Sequence, residues 1–357
     1  MSAATPRSPL VPDFQIAING SPLSKALAVH VIAVEVDDSV ELPSMFAIEL
    51  AGSENDAQIL GWIDDQKLFA VGQAVEVSLG YVDDLASLIK GEITALEPEF
   101  AVDRLPHVTV RGYDRRHRLQ RGCQVRTFVQ QKDSDIAAQI AREAGLTAHT
   151  DDSRVVHEYV LQAKQSDLDF LQERARLIEY EVRVDDQTLS FRAVANAASE
   201  IMTLTLNDEL LEFYPRLSLA GQVSEVQVRG WNVRDKQAII AQARVGAEVS
   251  SMGGQQSGAA LARRAFGAAV GVLDRHPPAT QAEADQLAKA RFNRAVLELI
   301  EGEGACLGRT DLRAGKVIKI AGLGSRFSGQ YYVVSATHGY TSQQGYLTRF
   351  TVRRNAT

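Results

Sequence analysis

Apolar and polar positions alternate through roughly the first hundred residues, the period-2 signature of strands. "FQIAING" alternates throughout. "LAVHVIAVEVDD" carries Ile32, Val34 and Val36 on one face and Val29, Val31 and Ala33 on the other. That second face turns polar at Glu35 and Asp37. The pattern predicts a strand whose first half is buried on both sides. "MFAIELAG", "QAVEVSLGYVDD", "SLIKGEITALEPEF" and "PHVTVRGYD" continue the series. Asp37-Asp38, Gly52, Asp83-Asp84 and Pro98 read as turn signals between them. Short strands joined by polar turns predict a small antiparallel barrel or sandwich.

The period then changes. In "KDSDIAAQIAREAGL" the apolar Ile136, Ala137, Ile140, Ala141 and Ala144 fall at helical spacing. Asp133 or Ser134 is placed to cap the start and Gly145 to end it. In "QSDLDFLQERARLIEYEVRVDD", Ser166 is an N-cap candidate before the stripe Leu168, Leu171, Ala175 and Ile178. A strand pair, "YEVRVDDQTLSFRA", follows with a turn near Asp185-Asp186. Strands return in "IMTLTLND", "LLEFYPRLSLAG" and "VSEVQVRGWNV". Residues 246–280 are rich in Gly, Ala and Gln and read as an irregular or mobile connection with a short helix at Leu261 to Phe266. Residues 281–299 read as a long helix, and the end is β again. The expectation is a mainly β fold with an α/β insert: two related small β-barrel domains plus helices, divided as 1–122, 123–200 and 201–357.

One phrase occurs twice. Val108-Thr-Val-Arg-Gly-Tyr-Asp-Arg-Arg116 and Val226-Gln-Val-Arg-Gly-Trp-Asn-Val-Arg234 agree at five of nine positions, 118 residues apart (226 − 108). Chance similarity is one reading. Two related β-domains, the second completed by the C-terminal strands, is the other. Arg111, Gly112, Tyr113, Asp114, Arg115 and His117 in the first copy are therefore structural or interface candidates, with Arg229, Gly230 and Trp231 in the second. Three chains with two such units each would place six similar units around an axis.

Composition narrows the function classes. At 357 residues the chain suggests about two domains, at roughly 150 residues each. A net charge of −7 argues against a general nucleic-acid binder, whose affinity comes from many Lys/Arg–phosphate contacts, but leaves room for a local basic patch. Arg111, Arg115, Arg116, Arg118, Arg121 and Arg126 form such a run, yet only Tyr113 is near it before Phe128. A protein–protein or solvated role is favoured. Cys123 and Cys306 stand apart and outside any CxxC or Cys/His pattern. No disulfide framework and no metal site is expected. The opening "MSAATPRSPLVPDF" lacks the apolar run of a secretory signal, and no apolar stretch reaches a membrane-spanning length.

Catalytic patterns are weak. There is no HExxH and no GxSxG. "GLGSRFSG" at Gly322 to Gly329 lacks the Lys-Ser/Thr of a phosphate loop and reads as a connection between strands. His117 is a general-base candidate against a packing or hydrogen-bonding role after a turn, and the second reading is favoured; His338 is read as structural. Asp151-Asp152 and Asp185-Asp186 read as turns rather than a glycosidase pair. No catalytic residue, cofactor or metal is expected.

An ordered series of segments resembles the phage late control protein D family. It comprises "VGQAVEVSLGY", "IKGEITALEPEF", "VRGYDRRHRLQRG", "DSDIAAQIAREAGL", "VHEYVLQAKQSDLDFLQERARLIEYEVRVDDQTLSFR", "LRAGKVIKIAGLGSRFSGQYYVVSATHGY" and "GYLTRF", over most of positions 71 to 350. That family is similar to the hub of contractile phage tails and to the N-terminal part of valine-glycine repeat protein G of type VI secretion. The resemblance implies a non-enzymatic homotrimeric hub, assembled in the bacterial cytoplasm into a baseplate and adapting a sixfold tube to a threefold spike. Its implied partners are further copies of itself, the tube protein, baseplate wedge proteins and a separate spike protein with an oligonucleotide/oligosaccharide-binding barrel. Neither nucleic acid nor membrane is among them. A tail-associated enzyme that cuts cell walls, and a peripheral nucleic-acid binder, are the alternatives.

Overall fold

The computed structural model describes residues 11–52, 56–64, 68–101, 105–273 and 276–357. The reading of the opening segment as no secretory signal falls mainly on residues 1–10, outside those described. The N-terminal part runs β1 (Pro12–Ile18), β2 (Ser21–Pro22), α1 (Lys25–Ala28), β3 (Val31–Ser39), β4 (Met45–Ala51), α2 (Asp56–Asp64), β5 (Ala74–Tyr81), β6 (Asp84–Glu99) and β7 (His107–Tyr113). Alternation holds: Phe46, Ile48 and Leu50 of β4 and Val108 and Val110 of β7 are buried in one core with Val34 and Val36 of β3.

Three local expectations are corrected here. The run before Val31 is not strand, because the Ser24 hydroxyl accepts from the Leu27 amide at 3.3 Å and caps the short helix α1; Val29 is left exposed. Helix α2 was not anticipated. Asp38 and Pro98 mark no turn: both lie within strands, and Asp38 is buried.

The middle part holds α3 (Arg116–Leu119), β8 (Gln124–Lys132), α4 (Asp133–Glu143), β9 (Thr147–Thr150), β10 (Val156–Gln165), α5 (Asp167–Leu177), β11 (Tyr180–Asp185) and β12 (Thr188–Ala193). Ser166 caps α5, accepting from the Asp169 amide at 3.1 Å. Lys132, not Asp133 or Ser134, is the N-cap of α4; its amide donates to the Asp135 carboxylate at 3.3 Å. Phe128, Ile136, Ile140, Leu171, Leu189 and Phe191 belong to a second core.

The remaining elements are β13 (Thr203–Thr205), β14 (Leu210–Leu217), β15 (Glu225–Asn232), β16 (Gln237–Arg244), α6 (Gly258–Phe266), β17 (Val270–Leu273), α7 (Gln281–Leu297), β18 (Ile300–Leu307), β19 (Val317–Ala321), α8 (Gly324–Phe327), β20 (Gly329–Thr341) and β21 (Gly345–Arg354). The stretch 246–280 is therefore not simply irregular. It contributes α6 and β17, and Met252 is buried against Val317, Tyr332 and Val334.

The fold is mainly β, and among the described residues its sheets stay open rather than closing into barrels. Thirteen strands form one sheet, ordered β14-β18-β21-β20-β3-β4-β7-β6-β5-β1-β2, with β13 and β19 branching from β20. The reason lies in β20. Its first residues, Gly329 to Tyr332, pair with β19, and Ser335 to Thr341 pair with β3. A register shift between Val333 and Ser335 separates the two halves, as expected of a bulge that redirects a strand. The free edge of β3 thus goes to the C-terminal strands instead of back to β1.

Candidate functional site

The two copies of the repeated phrase occupy different environments. β7 lies between β4 and β6, antiparallel to both. β15 lies in a separate three-stranded sheet, antiparallel to β16 and parallel to β17. It does not join the C-terminal strands, so the expectation that those strands complete a second equivalent unit around it is corrected. What the copies share is the glycine. A Cβ on Gly112 would overlap the Glu92 carbonyl and the Phe46 ring; one on Gly230 would overlap Pro278. Each glycine permits a close approach, to an unrelated neighbour.

In the first copy most of the charged residues are engaged within the chain. Arg111 donates to Glu97 at 2.8 Å on the surface. Asp114 is buried, and accepts from the Ser44 amide at 2.8 Å while its own amide donates to the Ser44 carbonyl at 2.8 Å. Arg116 folds back on it: Nη2 is 2.7 Å from an Asp114 oxygen and 2.9 Å from the Ser44 hydroxyl. Its Nη1 donates to the carbonyls of Ser39 and Val182. Glu92, also buried, collects Arg115 at 3.3 Å, His117 at 2.9 Å and Arg118 at 2.6 Å. Burial alone would raise the Glu92 pKa, but these partners hold it below the usual carboxylate range. His117 is thus a hydrogen-bonding partner of a carboxylate. Arg115 also pairs with Asp186 in the β11–β12 turn, and Tyr113 is half-buried.

A neighbouring centre went unread in the sequence. Asp38 accepts from Arg183 at 2.9 Å, from Arg313 at 2.9 Å, from the Ala314 amide at 3.1 Å and from the Ser44 hydroxyl at 3.2 Å. Burial would raise its pKa, but the Arg183 and Arg313 charges outweigh that and hold the carboxyl far below the ordinary range. Arg183 also donates to the Ala314 carbonyl. Ser44, bonded to Asp38, Asp114 and Arg116, links the two centres. Together they tie β3, the turn after β7, the β11–β12 hairpin and the loop before β19, four distant stretches of sequence. Ser44, the residue before β4, gave no signal of this, and Asp37-Asp38 looked like a turn.

The second copy is open to solvent. Arg229 is exposed and bonds only locally, to Gln227 at 2.9 Å, and Trp231 is 54% exposed. Beside them Ile240 and Val272 are also exposed, while Val226 and Val228 on the opposite face pack against Leu287, Phe292 and Val296 of α7. A second outward apolar face lies on the β8–β10 ribbon, where Val129 pairs with Tyr159 beside Val125 and Leu161.

Among the described residues no group of three or more His, Cys, Asp or Glu could hold a metal ion, and no helix is long and apolar enough to cross a membrane. Cys306 is buried, and burial pushes its thiol up to about 12. His338 is buried and bonds the Tyr346 hydroxyl at 2.8 Å; burial pushes it down to about 3.

No curated protein matches the sequence. Solved structures do match the fold. The 43 kDa tail protein of prophage MuSo2 from Shewanella oneidensis superposes with a TM-score of 0.72 at 14% identity, over 96% of this chain and 98% of that one. A tail protein from Neisseria meningitidis MC58 gives 0.69 at 10% identity, over 96% and 97%. The E. coli c3393 protein, described as a type VI secretion component similar to the T4 tail proteins gp27 and gp5, gives 0.63 at 16% identity, over 96% and 77%. The chain therefore has the fold of phage tail and hub-like proteins. The model of the family described as the Alg8 N-terminal domain matches residues 8–342, and the chain belongs to that family.

Proposed function

We propose that this chain is a structural hub of a contractile injection machine or phage tail baseplate, a homotrimer that adapts a sixfold tube to a threefold spike. The observation that carries the reading is likeness along nearly the whole chain to tail proteins and to a type VI secretion component. The sequence resemblance to late control protein D points the same way. The reading has no chemical step. Symmetry adaptation needs self-association and faces for unlike partners, and the outward apolar faces around Trp231 and Tyr159 suit such contacts.

In this reading the candidate residues divide by role. Asp114, Arg115, His117 and Gly112 are architectural, whereas Arg229 and Trp231 contact a partner. The tube, the wedge proteins and a separate spike protein are the proposed partners, with assembly in the bacterial cytoplasm. The segments 1–122, 123–200 and 201–357 are proposed as its domains.

Sedimentation of the purified protein, alone and with its spike partner, tests this. Three copies of the 38.9 kDa chain give about 117 kDa. Trp231→Ala should lower the trimer fraction or the spike affinity without lowering monomer stability. A chain that stays monomeric in both samples sinks the hub reading.

A further inference from the structure

A pocket of about 110 Å³ lies where α5, β11, α7, β20 and β21 meet. Val40, Ala175, Val194, Leu297 and Val334 supply apolar walls. Two carboxylates of the lining are already engaged: Glu41 by Arg353 at 3.1 Å, and Glu181 by Arg192 at 2.7 Å and the Tyr332 hydroxyl at 2.5 Å. Two cations of the lining form no salt bridge among the described residues. Arg176 and Arg294 sit in the last turns of α5 and α7, both exposed, and neither has a carboxylate within salt-bridge reach among the described residues. Both guanidinium groups line the same pocket, and burial, then the charge of Arg176, lowers the Arg294 pKa against the pull of Glu298 and Glu41.

Glu179 breaks two local rules at the same place. It follows the C-cap Ile178 of α5 with φ +60, the left-handed position that glycine usually takes. A residue with a Cβ there costs roughly 1–2 kcal/mol. Its carboxyl is also largely buried. Burial pushes the pKa up to about 8 against the opposing charge of Lys289.

Size decides the class of occupant. Small-molecule sites run to about 300–1,000 Å³, well above this volume. A cavity of about 150 Å³ holds a benzene ring, so this smaller pocket suits a single aliphatic side chain. Buried anchor side chains of that kind dominate protein interfaces. We propose that the pocket receives one apolar side chain from a partner protein segment, whose neighbouring carboxylate is held by Arg176 and Arg294. The proposal does not rest on the trimer reading.

Fluorescence anisotropy with the full chain and a fluorescein-labelled peptide, Gly-Ser-Asp-Leu-Asp-Ser-Gly, reads the interaction. Saturable binding is expected, weakened at least about tenfold when Asn replaces Asp or Ala replaces Leu in the peptide. Arg176→Glu and Arg294→Glu should each weaken it by about tenfold as well. Both positions are exposed, so the fold is not at stake. The peptide with Lys in place of Asp should bind the Arg294→Glu protein better than the parent does. Absence of saturable binding, equal binding of the Asn peptide, or indifference to Arg294→Glu overturns the proposal. So does an Arg294→Glu protein that loses self-association while its peptide binding is unchanged, since the occupant is then a second copy.

Discussion

Arg183 of β11 places a guanidinium nitrogen 2.9 Å from a carboxylate oxygen of Asp38 on β3, 145 positions earlier in the chain. Arg313 approaches the other oxygen at 2.9 Å. One buried carboxylate thus anchors two arginines from distant parts of the sequence. Removing one partner of such a group leaves uncompensated buried charge, which costs far more than the pair contributes net. Asp38→Ala is therefore expected to lower unfolding stability by about 3–5 kcal/mol in urea titrations. The carboxyl is held below its unfolded value of 3.8. Its contribution is present above that pH and fades as pH falls. The acid limb of the stability profile should be shallower in Asp38→Ala, and an unchanged limb contradicts the assignment.

Arg116 and Arg118 are two residues apart and differ in what they do. Arg116 is sealed against Asp114, whereas the Arg118 side chain is 54% exposed on Glu92. Arg118→Ala should cost less than about 1 kcal/mol, the range of exposed ion pairs. Arg116→Ala leaves Asp114 buried without its counter-ion and should cost about 3–5 kcal/mol. Equal losses in chemical denaturation would show that the run acts as one solvated face.

What the sequence made legible follows the range of the forces involved. Side-chain alternation is local, so β4, β7, β11, β12 and β21 were readable from their own residues. So was the Ser166 cap, whose partner is three positions away. Asp38 gave no such signal, since its partners lie at Arg183 and Arg313. Arg116 looked like its neighbours, because Ser44, 72 positions away, helps to bury it. The barrel expectation failed for the same reason: nothing near β3 announces that its free edge meets β20. The repeated Arg-Gly-aromatic phrase was read as shared architecture, but Gly112 and Gly230 answer to different neighbours.

Gly112 gives a direct test of that last point. A methyl group there meets the Glu92 carbonyl and the Phe46 ring, neither of which is the free end of a flexible chain. Gly112→Ala is expected to destabilise by about 1–3 kcal/mol through overpacking. The shift should appear as a lower urea midpoint at constant slope. A midpoint equal to that of the parent protein would mean that β6 and β7 can separate to admit the methyl group.

His157 on β10 lies 3.1 Å from Asp133 at the start of α4 and 3.4 Å from Glu283 on α7. Arg174 of α5 bonds Asp133 at 2.6 Å and approaches the same imidazole nitrogen at 3.0 Å. Burial would lower the His157 pKa, and the Arg174 charge acts in the same direction. The contacts with Asp133 and Glu283 outweigh both and raise it from 6.5 to about 9. The imidazolium therefore stabilises the fold fully below about pH 6.5, and that contribution is lost as pH rises through about 9. Urea unfolding at a series of pH values should show the parent protein losing about 1–3 kcal/mol across this window. His157→Gln should start less stable and lose much less over the same interval, because its amide does not titrate. Parallel profiles for the two proteins would place the proton elsewhere and remove His157 as the link between α4, α5 and α7.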